Sequence, residues 1–169
     1  MEPIMNSWSL EQIFDQIQHW TAGIQDRWYG TTITFSFAVS GGQIRDVLND
    51  DGETLLSDGF VPVPSTRFQP LIDALALWDD LISPSIVPKN GNSSSPLADP
   101  SDIYTTADIE IAMSATMESD VLGETWHPSE SGGVWFNATL YNDDKAVTGS
   151  ELYAFIHELG HALGLDHAG

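Results

Sequence analysis

The sequence predicts an α+β fold with α/β layering, in which one twisted mixed sheet carries two long helices and an N-terminal helix. Several short segments alternate apolar and polar residues, which is typical of half-buried strands. Three longer segments instead repeat their apolar residues at helical spacing. Apolar residues make up 41% of the 169 residues, so the chain is long and apolar enough to form one domain over residues 1–169.

The first half of the chain supplies the N-terminal helix, a strand and the first long helix. A capping-box pattern at Ser9 opens the N-terminal helix. Residues 31–39 alternate strictly and predict a strand. A second capping-box pattern at residues 66–69 predicts a helix whose apolar stripe runs to Ile82, with Pro70 in its first turn.

The second half supplies further strands and the last helix. Alternating residues predict a strand at 107–113. Residues 134–140, entered through Gly132 and Gly133, predict a further strand, and residues 123–128 predict a short edge strand. Residues 148–151 form a third capping-box pattern, which opens the last helix. The predicted buried stripe of that helix consists of Leu152, Phe155, Ile156, Leu159 and Leu163.

The last helix also carries residues suited to metal chemistry. His157 and His161 are four residues apart, so they share one face of the helix about 6 Å apart and can bind one Zn²⁺. Glu158 lies beside the first histidine, where it can reach a water on the metal. Gly164 can adopt the left-handed conformation that ends a helix, and the turn then brings His167 round as a third ligand. The alternative is a surface helix with incidental histidines, which the agreement of all five positions disfavours.

Composition restricts the function classes. The net charge of −20 argues against nucleic-acid binding, which needs a basic surface. Solubility through self-repulsion is the favoured explanation of this charge, and attraction of Ca²⁺ or cationic substrates is the alternative. The absence of cysteine excludes disulfides and thiolate ligands within the chain. No apolar run has the length of a membrane span, and residues 1–20 do not resemble a signal peptide.

The motif at residues 157–167 and the order of elements resemble the metzincin zinc metallopeptidases, and among them the serralysins. Residues 31–37 resemble the first sheet strand of that family, 68–78 its first long helix and 107–111 the following strand. The Gly-Gly-Val-Trp-Phe-Asn segment at 132–137 resembles the strand before the active-site helix and favours serralysins. Matrixins are the alternative, because the Gly-Leu-Asp-His sequence that ends the motif suits them also.

The resemblance implies a metzincin-type upper catalytic subdomain and a zinc-dependent endopeptidase. His157, His161 and His167 would be the zinc ligands, and Glu158 would be the general base that activates the attacking water. The resemblance also implies Ca²⁺ as a second cofactor, export from the cell, protein or peptide substrates, a protein inhibitor as a further partner, and a monomer. It implies that an extended peptide binds along the predicted edge strand, at Gly123, Glu124, Thr125 and Trp126.

Two departures from the family pattern matter. Serralysins usually follow the third histidine with Pro-Gly, whereas this chain has Ala168 and Gly169. All four methionines precede the motif, so the lower subdomain with its methionine turn is expected to be absent and the chain to be a fragment. The alternative function is therefore a zinc-binding scaffold or interaction module without turnover. The natural substrate and the cleavage specificity stay open.

Overall fold

A computed structural model describes residues 28, 30–44, 48, 52, 54–101, 107–126, 128, 133–141 and 146–165. Within these residues, six strands and two long helices confirm the predicted α+β fold and its mixed sheet. The predicted N-terminal helix at Ser9 lies outside the described residues. In chain order the elements are β1 (Thr32–Phe37), β2 (Phe60–Val61), α1 (Ser65–Asp79), β3 (Ser85–Pro88), β4 (Ile109–Ser114), β5 (Gly123–Thr125), β6 (Gly133–Asn137) and α2 (Gly149–Ala162).

The sheet has the strand order β3-β1-β4-β6-β5. The strands β3, β1, β4 and β6 are parallel to one another, and β5 is antiparallel to β6 at one edge. The short strand β2 pairs antiparallel with the last two residues of β4, beyond the end of β1. The predicted edge strand at 123–128 is therefore confirmed, although it has only three residues.

Both long helices cover the same face of the sheet. Alternate residues of β1 and β4 point into the main core, where they meet the buried sides of α1 and α2. A smaller cluster around Trp135 lies on the opposite face. No helix among the described residues combines the length and apolarity needed to cross a membrane. The buried residues of the main core are Ile33, Phe35, Phe37, Val63, Leu71, Ala74, Leu75, Ile109, Ile111, Met113, Val134, Phe136, Tyr141, Phe155, Leu159 and Ala162.

The start of α1 differs from the prediction. The helix begins at Ser65 after Pro64, whose extended conformation sets the entry of the chain, and no side chain caps this end. The predicted capping box at Thr66 is therefore wrong, because Thr66 already lies inside the first turn. Pro70 consequently falls in the second turn, where its missing N–H removes the donor for the carbonyl of Thr66. The helix ends at Asp79, three residues before the predicted limit at Ile82.

The strand β3 was not predicted. Its four residues follow a helix stop directly and end in Pro88, and proline within a short segment argues against a strand. β3 is nevertheless a sheet edge parallel to β1, where a proline is tolerated. The Asp79 side chain at the end of α1 accepts a hydrogen bond from the amide of Ile86 at 2.5 Å. This contact joins the helix to the strand that follows it.

The helix α2 begins as predicted and is tied to α1 by a buried ion pair. The hydroxyl of Thr148 accepts a hydrogen bond from the amide of Glu151, and the Glu151 carboxylate accepts one from the amide of Thr148. These two bonds complete the capping box. The same carboxylate pairs with the guanidinium of Arg67, and Arg67 is only 1% exposed. In the predicted stripe, Phe155 and Leu159 are fully buried, whereas the other three residues are half-buried.

Candidate metal centre

His157 and His161 lie one turn apart on α2 and face each other. Their Nε2 atoms are 3.1 Å apart, and the ring planes are nearly perpendicular at 88° with centroids 4.6 Å apart. Two nitrogen ligands at about 2.0–2.1 Å from a tetrahedral Zn²⁺ are about 3.3–3.4 Å apart. The two imidazoles therefore stand within a few tenths of an ångström of the separation that one shared metal ion requires.

The tautomer of His161 is set by a carbonyl group. Its Nδ1 lies 2.7 Å from the carbonyl oxygen of Leu165, and a carbonyl oxygen can only accept. Nδ1 therefore donates this hydrogen bond, and Nε2 is the ring nitrogen that faces His157. A ring whose second nitrogen is held in this way is fixed in orientation and is a better metal ligand.

The carbonyl of Leu165 reaches His161 because α2 ends in a tight reversing turn. Gly164 has a φ of 95°, which an L side chain rarely adopts. Its N–H donates to the carbonyl of His161 at 2.9 Å, and the N–H of Leu165 donates to the carbonyl of Gly160 at 3.0 Å. These two bonds define a Schellman motif. The predicted helix-ending role of Gly164 is confirmed, while His167 lies outside the described residues.

Glu158 is a buried carboxylate at the same place. It is 7% exposed, and its Oε2 accepts a hydrogen bond from the hydroxyl of Thr125 on β5 at 2.8 Å. A Cβ atom added to Gly123 would lie 2.7 Å from Cγ of Glu158 and 3.0 Å from the carbonyl oxygen of Trp135. The edge strand therefore passes directly against the Glu158 side chain, with a glycine at the point of closest approach.

The backbone of β5 offers hydrogen-bonding groups at the sheet edge. The carbonyl of Leu122 accepts from the last residue of β6 at 3.1 Å, and the amide of Trp126 donates to its first residue at 2.9 Å. Residues of an antiparallel pair alternate between facing the partner and facing away. The amides and carbonyls of Gly123 and Thr125 therefore point away from β6. No strand pairs with that side of β5 among the described residues.

The four predicted substrate residues fall on two faces of this edge. Successive strand residues point to opposite faces, so Gly123 and Thr125 face α2 whereas Glu124 faces the other side. Trp126 packs against the smaller cluster on that other side. Tyr153, which the sequence did not single out, stacks on the His157 ring at 27° with centroids 5.9 Å apart, and it is 65% exposed.

Two tryptophans that the sequence did not mark as functional anchor α2. The indole N–H of Trp78 donates to the carbonyl of Ile156 at 3.0 Å, and that of Trp28 donates to the carbonyl of Ala162 at 2.8 Å. A Cβ on Gly160 would lie 3.0 Å from Cζ2 of Trp78. Gly160 is the residue that could have indicated this contact from the sequence. A glycine inside a helix lowers its stability, and a close approach by another group is one reason for such a glycine.

A cavity of about 270 Å³ lies beside the start of α2 and the residue before β5. Within it, the hydroxyl of Tyr141 donates to the carbonyl of Leu122 at 3.0 Å. Burial raises the pKa of Tyr141 well above its ordinary value, and the negative charges of Glu151 and Glu158 raise it further. The cavity is lined by Arg67, Leu122, Leu140, Tyr141, Ala146, Thr148, Ser150 and Glu151.

The donor set suits Zn²⁺, which favours imidazole nitrogen in tetrahedral sites. His157 and His161 supply two such nitrogens. In the described ranges, no three His, Cys, Asp or Glu side chains are grouped so that they could hold a metal ion. Neither a protein-family model nor a curated protein sequence matches the chain.

Proposed function

We propose that the protein is a zinc-dependent endopeptidase of the metzincin type, as the resemblance implies. The observation that supports this most strongly is the pairing of His157 and His161 through Nε2 atoms 3.1 Å apart, with Nδ1 of His161 held by a carbonyl. A buried carboxylate, Glu158, lies between this pair in sequence and against the sheet edge in space. Paired imidazoles, an adjacent carboxylate and an open strand edge are the groups that metal-assisted peptide hydrolysis needs.

His157 and His161 would hold the metal, with His167 as the third ligand that the resemblance implies. When bound, Zn²⁺ supplies a Lewis acid that makes a water more acidic and polarises the scissile carbonyl. Glu158 accepts a proton from the attacking water while the water oxygen bonds to the carbonyl carbon. It then delivers that proton to the amine nitrogen as the C–N bond breaks. The products are a carboxylic acid and an amine.

The substrate would lie as an added strand against β5. The outward amides and carbonyls of Gly123 and Thr125 can pair with the backbone of an extended peptide. Backbone pairing gives affinity with little dependence on sequence, so the substrate class is unfolded or extended protein segments. Because Glu158 contacts both of these residues, the peptide would lie beside the general base.

The test compares the wild-type chain with Glu158→Gln. With zinc supplied, the wild type is expected to hydrolyse casein or a fluorogenic peptide, and a chelator should stop the reaction until zinc is restored. Glu158→Gln should bind an equal amount of zinc by elemental analysis and lose turnover by a factor of about 10² to 10⁴. Asp80→Asn is the control, because Asp80 is an exposed carboxylate at the end of α1.

Each outcome separates the candidate functions. Full activity of Glu158→Gln would refute the role of Glu158. Zinc binding without turnover by the wild type would favour the scaffold or interaction module. A wild type without bound metal would refute both functions.

A further inference from the structure

Thr125 makes a contact that substrate binding alone does not explain. Its hydroxyl donates to Oε2 of Glu158 at 2.8 Å, and among the described residues it is the only donor to that carboxylate. A carboxylate that is 7% exposed has lost most of its water, and desolvation of a charge is costly unless hydrogen bonds replace the water. The Thr125 hydroxyl therefore replaces part of that lost water and fixes the position of Oε2.

Gly123 contacts the Glu158 side chain from the same face of β5 as Thr125. The two residues are two apart on β5, so both face α2. Gly123 leaves the space that Cγ of Glu158 occupies, since a Cβ there would approach it to 2.7 Å. Thr125 holds the far end of the same side chain. The glutamate side chain is thus fixed along its length by two alternate residues of the edge strand.

We propose that Thr125 is a positioning residue for the general base: it holds Oε2 of Glu158 so that Oε1 is the oxygen that takes the proton from water. This proposal rests on the proposed function for its catalytic part. The edge strand then has two roles. The backbone of Gly123 and Thr125 would bind the peptide, while the space at Gly123 and the hydroxyl of Thr125 hold the Glu158 side chain. Substrate alignment and base alignment then depend on the same three-residue strand.

The kinetic test uses two substitutions of Thr125 on the zinc-loaded chain of residues 1–169. Thr125→Val keeps the shape and removes the hydroxyl, and it is expected to lower kcat by about 10-fold to 100-fold, the range of a hydrogen bond to a charged group. KM and the zinc dissociation constant should stay within about twofold of wild type. Thr125→Ser, which restores the hydroxyl, should recover kcat to within about threefold.

Thr34→Val is the matched control. Thr34 also donates its hydroxyl to a carboxylate, Oδ2 of Asp108 at 2.7 Å, in the same sheet but away from α2. Its loss should lower stability without lowering kcat. The proposal is overturned if Thr125→Val keeps full kcat, if Thr125→Ser falls as far as Thr125→Val, or if Thr34→Val reduces kcat equally.

A second measurement does not need turnover. Thr125→Val is expected to lower the urea midpoint of unfolding in the wild-type background and to leave it unchanged or raised in Glu158→Ala, where the hydroxyl has no carboxylate to bond. An equal fall in both backgrounds would overturn the positioning contact. If the wild type binds zinc without turnover, the proposed function fails, and this comparison still decides whether Thr125 holds Glu158.

Discussion

Replacing Gly164 by alanine tests how far the turn after α2 supports the proposed metal centre. At a φ of 95° an alanine is strained by about 1–2 kcal/mol relative to glycine. The fold can release this strain by opening the turn, and an open turn withdraws the Leu165 carbonyl from Nδ1 of His161. If only the closed turn binds zinc tightly, a bias of about 1–2 kcal/mol raises the apparent zinc dissociation constant by up to about 5-fold to 30-fold.

The assay is a competition titration of zinc against a fluorescent chelator, with thermal unfolding measured in parallel. Gly164→Ala should lower the Tm of the zinc-free chain by about 3–6 °C. Gly91→Ala is the matched control, because Gly91 has a φ of 71°, lies in an exposed turn and has no atom within 4 Å of an added Cβ. It should lower the Tm similarly and leave zinc affinity unchanged. Unchanged zinc affinity in Gly164→Ala, or an equal loss in Gly91→Ala, would refute the reasoning.

Two further predictions concern buried side chains near the start of α2. Arg67→Met leaves the Glu151 carboxylate buried without its guanidinium and is expected to lower the free energy of unfolding by about 3–5 kcal/mol, which corresponds to a fall in Tm of about 8–14 °C. Thermal unfolding measures this fall, and Lys89→Met on the surface should change the Tm little. Tyr141 stays neutral in the folded protein because its pKa is raised, whereas in the unfolded chain its hydroxyl ionises from about pH 10. The folded protein therefore loses stability as the pH rises above that value. Tyr141→Phe should therefore reduce the loss of unfolding free energy between pH 9 and pH 11 by about 1.4 kcal/mol, measured by urea unfolding, and an unchanged loss would contradict the raised pKa.

Elements with a strong local signal could be predicted from the sequence. The alternation in β1 and β4, the capping box at Thr148 and the helix-ending Gly164 each depend on residues within a few positions of one another. Such signals are set by local geometry and by the spacing of apolar residues, which a single sequence displays. The facing histidines belong to the same class, because four residues of helix bring them together.

Features that depend on distant partners could not be predicted. Arg67 is buried because Glu151, 84 positions later, offers it a carboxylate, and nothing in the pattern around Arg67 shows this. The contact of Thr125 with Glu158 depends likewise on how β5 lies against α2. The short strand β3 is a strand because β1 offers it an edge, not because its own residues favour one.

The outer edge of β5, which pairs with no strand among the described residues, also bears on pairing between two copies of the chain. A strand edge accepts another copy of the same chain as readily as a substrate, because backbone groups do not distinguish between them. Three residues give such a self-pairing few hydrogen bonds, and the net charge of −20 makes two copies repel each other at any approach within a Debye length of about 8 Å. A peptide without a large negative charge meets no comparable barrier. We therefore expect the acidity of the whole chain to disfavour pairing of this edge with a second copy more than pairing with a peptide of low charge.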